Sequence, residues 1–411
     1  MSATERPTHA AMNQFAVQAG ELLIGGQPLS RVAARVGQTP FYAYDRGLLQ
    51  ARVAELRAVL PPSIKLHYAM KANPMPAVVA LMAGLVEGID VASAGELKVA
   101  LDCANPAEVS FAGPGKRDPE LRQAVASGVL VNVESMRELP VLAAASQELG
   151  LPARVAVRVN PDFELKGSGM KMGGGPKQFG VDVEVVPAML DWIAREGLSF
   201  EGFHLFAGSQ NLRAESICEA QQKSYALALR LSEQARSPVK FLNLGGGFGV
   251  PYFPGEQRLD LAPIGANLQG ICERAARELP QAHIVIELGR YLVAEAGVYV
   301  TRIVDRKVSR GQVYLVADGG LHHHLAASGN FGQVVRKNYP VAIGNRMGST
   351  EREIASVVGP LCTPLDLLAD RMELAVAMPG DLVVVFQSGA YGASASPQNF
   401  LGHPHCVEVL V

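Results

Sequence analysis

Cysteine is scarce in this sequence, and no two cysteines stand close together. The chain has 411 residues and five cysteines, at positions 103, 218, 272, 362 and 406. Their odd number and wide spacing exclude a disulfide framework and a Cys-x-x-Cys motif. This usage is typical of a cytoplasmic protein with reduced thiols, in which a functional cysteine would act through its chemistry.

An excess of charge of one sign is also missing. Lys and Arg number 37 against 39 Asp and Glu, which gives a formal net charge of -2. No basic stripe with interleaved aromatic residues occurs, so nucleic acid is not predicted as a partner. No apolar run reaches about 18 residues, and residues 1–11 have no apolar core, so the sequence predicts neither a membrane span nor a signal peptide.

A metal-binding pattern is absent as well. His322, His323 and His324 follow one another directly. Side chains alternate along an extended segment, so three consecutive histidines cannot present three ligands from one face. No metal site is predicted.

What the sequence does contain is an alternation of short apolar strands and helical stretches from about residue 65 to residue 289. About eight such repeats predict a parallel sheet closed into a (β/α)8 barrel. Beyond residue 289, strand-like segments follow one another with little helix, which predicts a mostly antiparallel β domain. We therefore predict a barrel over residues 36–286 and a β domain formed by 287–411 together with 1–35.

The chain is organised around Lys71, which ends the apolar, strand-like run at 65–71. Alternation would place Lys65, His67, Ala69 and Lys71 on one face of this strand. A partly desolvated lysine amine can form a Schiff base with a carbonyl cofactor. The alternative is an exposed lysine at a strand end, and this segment alone does not decide between the two.

Other candidate residues share that position at the carboxyl end of a predicted barrel strand, where barrel enzymes carry their working groups. These residues are Asp90, Arg158, Phe206, Ser209, Gly245 to Gly247, Glu287, Gly289 and Arg290.

Two of these segments have both a functional and a purely structural interpretation. The glycine run at 245–247 offers backbone N–H groups that could close around a phosphate, although tight turns use glycine too. Glu287 ends an apolar strand and needs a cationic partner, which could be a protonated pyridine nitrogen or the nearby Arg290. The sequence has neither a dinucleotide-binding nor a P-loop glycine pattern, so those cofactors are disfavoured.

Six motifs occur here in the order found in the pyridoxal-phosphate decarboxylases of the diaminopimelate/ornithine decarboxylase family, which the chain resembles over residues 15–411. They are Tyr-Ala-Met-Lys-Ala-Asn at 68–73, Gly-Ser-Gln at 208–210, Gly-Gly-Gly-Phe-Gly at 245–249, Glu-Leu-Gly-Arg at 287–290, Gly-Pro-Leu-Cys at 359–362 with Asp366, and Gly-Ala-Tyr-Gly at 389–392. Within that family the chain looks most like the members associated with exosortase A gene clusters, which also resemble decarboxylases of carrier-protein-bound amino acids.

The resemblance implies an alanine-racemase-type barrel with a β domain, assembled as a homodimer with shared sites and using pyridoxal 5'-phosphate. Lys71 would carry the cofactor and Glu287 would bind its pyridine nitrogen. Cys362 would come from the neighbouring subunit and act as the general acid. The resemblance further implies cofactor contacts from Asp90, Arg158, His204, Phe206, Ser209, Gly246, Gly247, Gly289, Arg290 and Tyr391, and substrate contacts from Arg290, Arg336, Tyr339 and Asp366.

The sequence departs from the family pattern where the substrate would bind. Phe206 stands where diaminopimelate decarboxylases have a ring-stacking histidine, and His204 lies one step deeper on the same strand face. Thr363 replaces the acidic residue that holds a distal ammonium. Arg336 and Tyr339 match the family's Arg-x-x-x-Tyr only at the wrong spacing, and the loop at 171–180 keeps only its final Phe-Gly.

These features predict a decarboxylase that removes the α-carboxylate of an amino acid or of a carrier-bound aminoacyl group. Diaminopimelate decarboxylation in lysine biosynthesis remains an alternative. A racemase would place an arginine against the pyridine nitrogen, so the acidic Glu287 argues against that activity. A catalytically silent regulatory homologue would be expected to lack Lys71 or Cys362, and both are present.

Overall fold

The structure is a computed structural model that describes residues 7–163, 170–171 and 173–411. Part of the loop at 171–180 and the first residues of the chain lie outside the described residues. The chain forms two compact units: a barrel unit of residues 53–250 and 259–291, and a β unit of residues 1–52, 251–258 and 292–411. No helix in the described part of the chain is both long and apolar enough to cross a membrane.

The barrel unit contains a closed ring of eight strands that are all parallel to their neighbours. In chain order, the first to eighth barrel strands are Lys65–Ala69, Gly88–Val91, Val109–Phe111, Leu130–Val133, Arg154–Asn160, Ser199–Leu205, Phe241–Gly246 and His283–Leu288. Pairing of the fourth strand with the fifth closes the ring. The (β/α)8 barrel predicted from the sequence is confirmed.

Helices connect these strands. They are Arg46–Val59, Pro76–Ala83, Ala94–Leu101, Asp118–Ser127, Glu138–Leu149, Val186–Arg195, Ala214–Ser232 and Ala262–Glu278, with the short Arg290–Val293 after the eighth strand. Local chemistry sets several of their ends: the Ser93 hydroxyl accepts a hydrogen bond from the Glu96 N–H, and Gly128 ends its helix in the left-handed conformation.

The β unit is built on a second, mostly antiparallel sheet. Six of its strands follow one another in the order Val341–Ile343, Leu382–Val385, Gly297–Ser309, Gln312–Ala317, Arg352–Val358 and Leu367–Ala375. Phe41–Tyr44 extends this sheet, pairing antiparallel with Gly297–Ser309 and parallel with Val407–Leu410. The predicted β domain is confirmed as a fold, while its predicted boundaries stay a prediction.

The core of the β unit lies beneath this sheet. Helix Leu29–Val36 and a small sheet of Val17–Gln18, Glu21–Ile24 and Gln27–Pro28 pack there, and Ile24, Leu29 and Phe41 are fully buried. The turn before Arg46–Val59 is fixed by Asp45, whose carboxylate accepts hydrogen bonds from the N–H groups of Leu48 and Gly25.

Candidate functional site

Lys71 stands just beyond the carboxyl end of the first barrel strand. The strand ends at Ala69, and Lys71 lies in a single 3-10 turn, Met70–Ala72. The expectation that strand alternation continues to Lys71 is therefore wrong, because the chain turns before it reaches that residue. Its side chain is exposed, and its Nζ lies 5.8 Å from the centre of the Phe206 ring at the end of the sixth strand.

Glu287 is buried at the carboxyl end of the eighth strand and meets polar side chains from the sixth and seventh strands. Its Oε2 lies 3.1 Å from Nε2 of His204 and accepts a hydrogen bond of 3.3 Å from the Asn243 side chain. Burial alone would raise the pKa of Glu287. The contact with His204, followed by the charges of Lys71 and Arg158, instead holds that pKa well below its usual range. A carboxylate that stays ionised in this position can hold a cation.

The glycine run at the carboxyl end of the seventh strand forms a tight turn against two other strand ends. Gly245 and Gly247 have φ angles of 71° and 76°, in the left-handed region where glycine carries no steric penalty. A Cβ on Gly246 would overlap the carbonyl of Glu287, and one on Gly247 would overlap the carbonyl of Gly208, next to Ser209. These glycines therefore serve the packing of the barrel end, and the Gly245 N–H donates a hydrogen bond of 2.8 Å to the Asn243 side chain.

Arg158, on the fifth strand, belongs to a buried network of four charged side chains. Arg158 Nη1 donates a hydrogen bond of 2.8 Å to Glu134, which directly follows the fourth strand. Glu134 also accepts the N–H groups of Gly113 and Gly180. Lys116 Nζ lies 3.2 Å from Glu138, and the exposed fractions of these two side chains are only 1% and 2%. The network fixes the Arg158 guanidinium near the carboxyl ends of the barrel strands.

Asp90 is buried on the second strand, where it contacts side chains of the first and third strands. Its Oδ1 accepts a hydrogen bond of 2.7 Å from Ser110 and lies 3.0 Å from Nδ1 of His67. Asn132 donates in turn to the Ser110 hydroxyl. Oδ2 of Asp90 is buried and meets no hydrogen-bond partner among the described residues.

The remaining predicted residues of the barrel lie at the same strand ends. Gly289 follows the eighth strand, and a Cβ there would come within 3.0 Å of the Ala69 carbonyl. Arg290 begins the next helix. Together with Lys71, Asp90, Arg158, His204, Phe206, Ser209, Gly246, Gly247 and Glu287, they define what we call the barrel mouth.

In the β unit, Cys362 is exposed in a turn that Asp366 holds in place. The Asp366 carboxylate accepts the N–H of Leu361 at 2.8 Å and the N–H of Leu321 at 2.6 Å. A Cβ on Gly320 or Gly359 would overlap this carboxylate. Burial raises the pKa of Asp366. Its observed contacts are with backbone groups, and they shape the turn that presents Cys362.

Arg336 and Tyr339, the two loosely matched substrate candidates, have partners within the β unit. The Arg336 guanidinium donates to the carbonyls of Ser328 and Leu367 and to the Asn338 side chain. Tyr339 is buried, and its ring centre lies 4.7 Å from that of Tyr252. Tyr391 adopts a φ of 52° beside Gly392 and is half-buried.

Sequence reasoning missed Glu134, together with its supporting pair Lys116 and Glu138. A signal was present: Glu134 occupies the residue after a barrel strand, which is the position used to select the other candidates. The groups of His, Cys, Asp and Glu in the described residues include no arrangement of three that could hold a metal ion.

Fold and site together define a (β/α)8-barrel enzyme with a lysine amine, a buried ionised carboxylate and a glycine turn at the carboxyl ends of its strands. The family described as "Pyridoxal-dependent decarboxylase, pyridoxal binding domain" matches residues 46–294. The chain belongs to the pyridoxal-dependent decarboxylases. The prediction of a carboxy-lyase is thereby confirmed, and the family implies pyridoxal 5'-phosphate as the cofactor.

Curated relatives and a solved structure agree with this assignment. The chain is 40% identical over 380 residues to the L-glutamyl-[BtrI acyl-carrier protein] decarboxylase of Niallia circulans, which covers 91% of this chain and 89% of the relative. It is 32% identical over 396 residues to the diaminopimelate decarboxylase of Aquifex aeolicus, covering 95% and 91%. The crystal structure of Helicobacter pylori diaminopimelate decarboxylase complexed with L-lysine has a TM-score of 0.81 and 27% identity, covering 93% and 94%.

Proposed function

We propose that this chain holds pyridoxal 5'-phosphate at the barrel mouth and removes the α-carboxylate of an aminoacyl group tethered to a carrier protein. The observation that carries the cofactor proposal is Glu287, a buried carboxylate whose pKa is held low by its contact with His204, and further by the charge of Lys71. The donor set fits the cofactor: an exposed amine for the aldehyde, an anion for the pyridinium nitrogen and a glycine turn for the phosphate.

Each residue then has a distinct task. Lys71 would hold the cofactor through its aldehyde, and its phosphate would be held by Ser209, Gly246, Gly247, Gly289, Arg290 and Tyr391. Bound pyridoxal phosphate supplies an electron sink, which takes up the charge left when carbon dioxide departs. Glu287 would keep the pyridine nitrogen protonated, and Phe206 would stack on the pyridine ring. Glu134 holds the Arg158 guanidinium in position. Asp90 and His204 complete the polar surroundings.

The proposed acid is Cys362, which donates its thiol proton to the carbon that lost carbon dioxide. It lies far along the chain from Lys71, and its turn is exposed. We propose that it serves the barrel mouth of a second copy, so that the active enzyme is a homodimer. The association with exosortase A gene clusters stays a prediction.

The carrier-bound substrate is supported by one substitution and one relative. Thr363, beside Cys362, carries no charge and cannot hold a distal ammonium. The Niallia circulans relative is named for a glutamyl group on an acyl-carrier protein. In the 171–180 loop, Gly173 lies against Pro161, and the Gly174 N–H donates a hydrogen bond of 3.1 Å to Asn160; as glycines, both leave the loop without bulky side chains at these positions.

Carbon dioxide release over a panel of free amino acids and aminoacyl carrier-protein thioesters tests this function. We expect turnover of a thioester and slow turnover of free meso-diaminopimelate. As a matched variant, Thr363→Glu restores an acidic residue and should improve diaminopimelate turnover by about tenfold or more, the worth of a charge-assisted hydrogen bond. Efficient use of free diaminopimelate by the unaltered enzyme would return it to lysine biosynthesis, and no release from any substrate would favour a silent homologue.

A further inference from the structure

A cavity lies at the end of the barrel opposite to Lys71, where the strands begin. Its volume is about 330 Å³, which is at the lower end of the range for small-molecule pockets. Lys65, Arg154 and His283 begin the first, fifth and eighth strands, and all three line it. We call this cavity the barrel floor.

The composition of the barrel floor is unusual for this fold. The interior of a (β/α)8 barrel is normally filled by layers of bulky branched side chains. At this end, the bulky apolar Val109, Leu130 and Val285 share the lining of an open cavity with polar side chains, which are Lys65, His67, Arg154, Glu201 and His283. A cavity lined in this way can take a small ligand that has both charged and apolar parts.

Some of these charges are already matched within the protein. Glu201 Oε1 lies 3.8 Å from Arg154 Nε and accepts the Ser199 hydroxyl, and its Oε2 lies 3.7 Å from Lys240 Nζ. Glu87 forms an ion pair with Arg57. These pairs leave little charge for a ligand.

Two groups of the barrel floor are not matched. Among the described residues, Lys65 meets no carboxylate within ion-pair distance, and its nearest titratable neighbour on the eighth strand is another basic group, His283. Burial, followed by the charge of Lys65, lowers the pKa of His283. On the third-strand side, Glu108 is exposed and has no ion-pair partner in the described part of the chain. Among the described residues, the barrel floor therefore has one positive side chain, Lys65, and one negative side chain, Glu108, that form no ion pair.

We propose that the barrel floor binds a small zwitterion whose carboxylate and ammonium lie at opposite ends of a short chain. The carboxylate meets Lys65 and the ammonium meets Glu108. The first and third strands are separated by one strand, hence by roughly 10 Å. With a hydrogen bond of about 2.8 Å at each end, an ω-amino acid of four to six carbons reaches across roughly that distance, whereas an α-amino acid head group carries both charges on one carbon.

Equilibrium binding of 5-aminopentanoate tests this site, with the barrel mouth blocked by borohydride reduction of the cofactor-loaded enzyme. We expect saturable binding, and weaker binding of pentanoate and of pentylamine, which carry one charge each. Lys65→Gln and Glu108→Gln should each weaken binding by about tenfold or more. Lys98→Gln removes an exposed charge outside the cavity and should leave binding unchanged.

A second variant guards against an indirect effect of the charge changes. Ala107→Trp places a large ring at the exposed rim of the cavity and should abolish binding while the melting temperature stays the same. Absence of saturable binding, equal binding of the singly charged analogues, or equal binding by Lys65→Gln would each overturn the proposal. None of these outcomes bears on Lys71, so the proposed function is tested separately.

Discussion

Ionisable side chains are buried in both compact units, but they meet different partners. At the barrel mouth, Glu287 faces His204 and Asn243, and Arg158 faces Glu134. In the β unit, Asp366 receives two backbone N–H groups. A side chain held mainly by backbone groups shapes a loop, whereas a carboxylate held ionised by other side chains remains available for chemistry. This difference distinguishes residues that we propose to take part in the reaction from residues that position the backbone.

The largest effect is expected where the two units are proposed to cooperate across a dimer. Lys71→Ala and Cys362→Ala should each lower kcat by on the order of 10³-fold or more, because each removes a reacting group. Mixing the two inactive chains should restore part of the activity through hybrid dimers, which regain one complete site. Cys406→Ala is the control and should stay active. Hybrids that form, as verified by mass spectrometry, yet remain inactive would place both groups on one chain.

The next effect concerns the carboxylate of the barrel mouth. Glu287→Gln keeps the shape but loses the charge, so it should lower kcat by roughly 10²–10³-fold, as when one preorganised electrostatic group is lost. Glu273→Gln changes an exposed carboxylate of the barrel unit and should have no such effect. Steady-state kinetics with the best substrate measure both variants. An unchanged kcat in Glu287→Gln would mean that this carboxylate only supports packing.

Glu134 should matter for stability as well as for Arg158. Three donors point at its carboxylate, and an amide cannot accept from all of them, so Glu134→Gln should lower the free energy of unfolding by roughly 3–5 kcal/mol. Burial alone would raise the pKa of Glu134, but the charges of Arg158 and Lys116 lower it overall.

That direction fixes the pH dependence of the Glu134 effect. Its contribution is fully present above the unfolded glutamate pKa of about 4.3 and is lost as the pH falls through the lower folded value. Urea unfolding should therefore show a difference between wild type and Glu134→Gln that is largest near neutral pH and shrinks below about pH 4. A difference that grows on acidification would contradict this assignment.

The smallest effect tests a residue of the β unit. Arg336→Gln removes donors to two carbonyls and one amide, so it should lower the free energy of unfolding by roughly 1–3 kcal/mol. Because its observed contacts are internal, KM should stay unchanged. Lys337→Gln, at the neighbouring position, is the control. A tenfold rise in KM at unchanged stability would give Arg336 the substrate role that the resemblance implied.

The sequence predicted that the candidate residues of the barrel mouth lie at the carboxyl ends of the barrel strands, because one geometric rule covers their positions, while their roles stay a prediction. The same rule applies to Glu134, which sequence reasoning missed. Lys71 shows the limit of strand alternation, since a turn after Ala69 delivers it to the mouth. The helix Pro76–Ala83 was not predicted because its residues are almost uniformly apolar and give no amphipathic period.

The β unit was harder to predict in detail. The strand Leu367–Ala375 was missed, and it contains Arg371 in a left-handed conformation with a φ of 46°. The contacts of Arg336 with backbone carbonyls depend on loops that meet only in the folded chain. No spacing in the sequence reveals which of those carbonyls already accept a hydrogen bond from another donor.

The central claim is that Lys71 holds the cofactor at the barrel mouth. Borohydride reduction of the purified, cofactor-loaded protein followed by peptide mass spectrometry tests it most directly. We expect a pyridoxyl phosphate group on Lys71 and none on Lys65 or Lys98, together with loss of the yellow colour. A protein that takes up no added pyridoxal phosphate, or that carries the label on another lysine, would contradict the account.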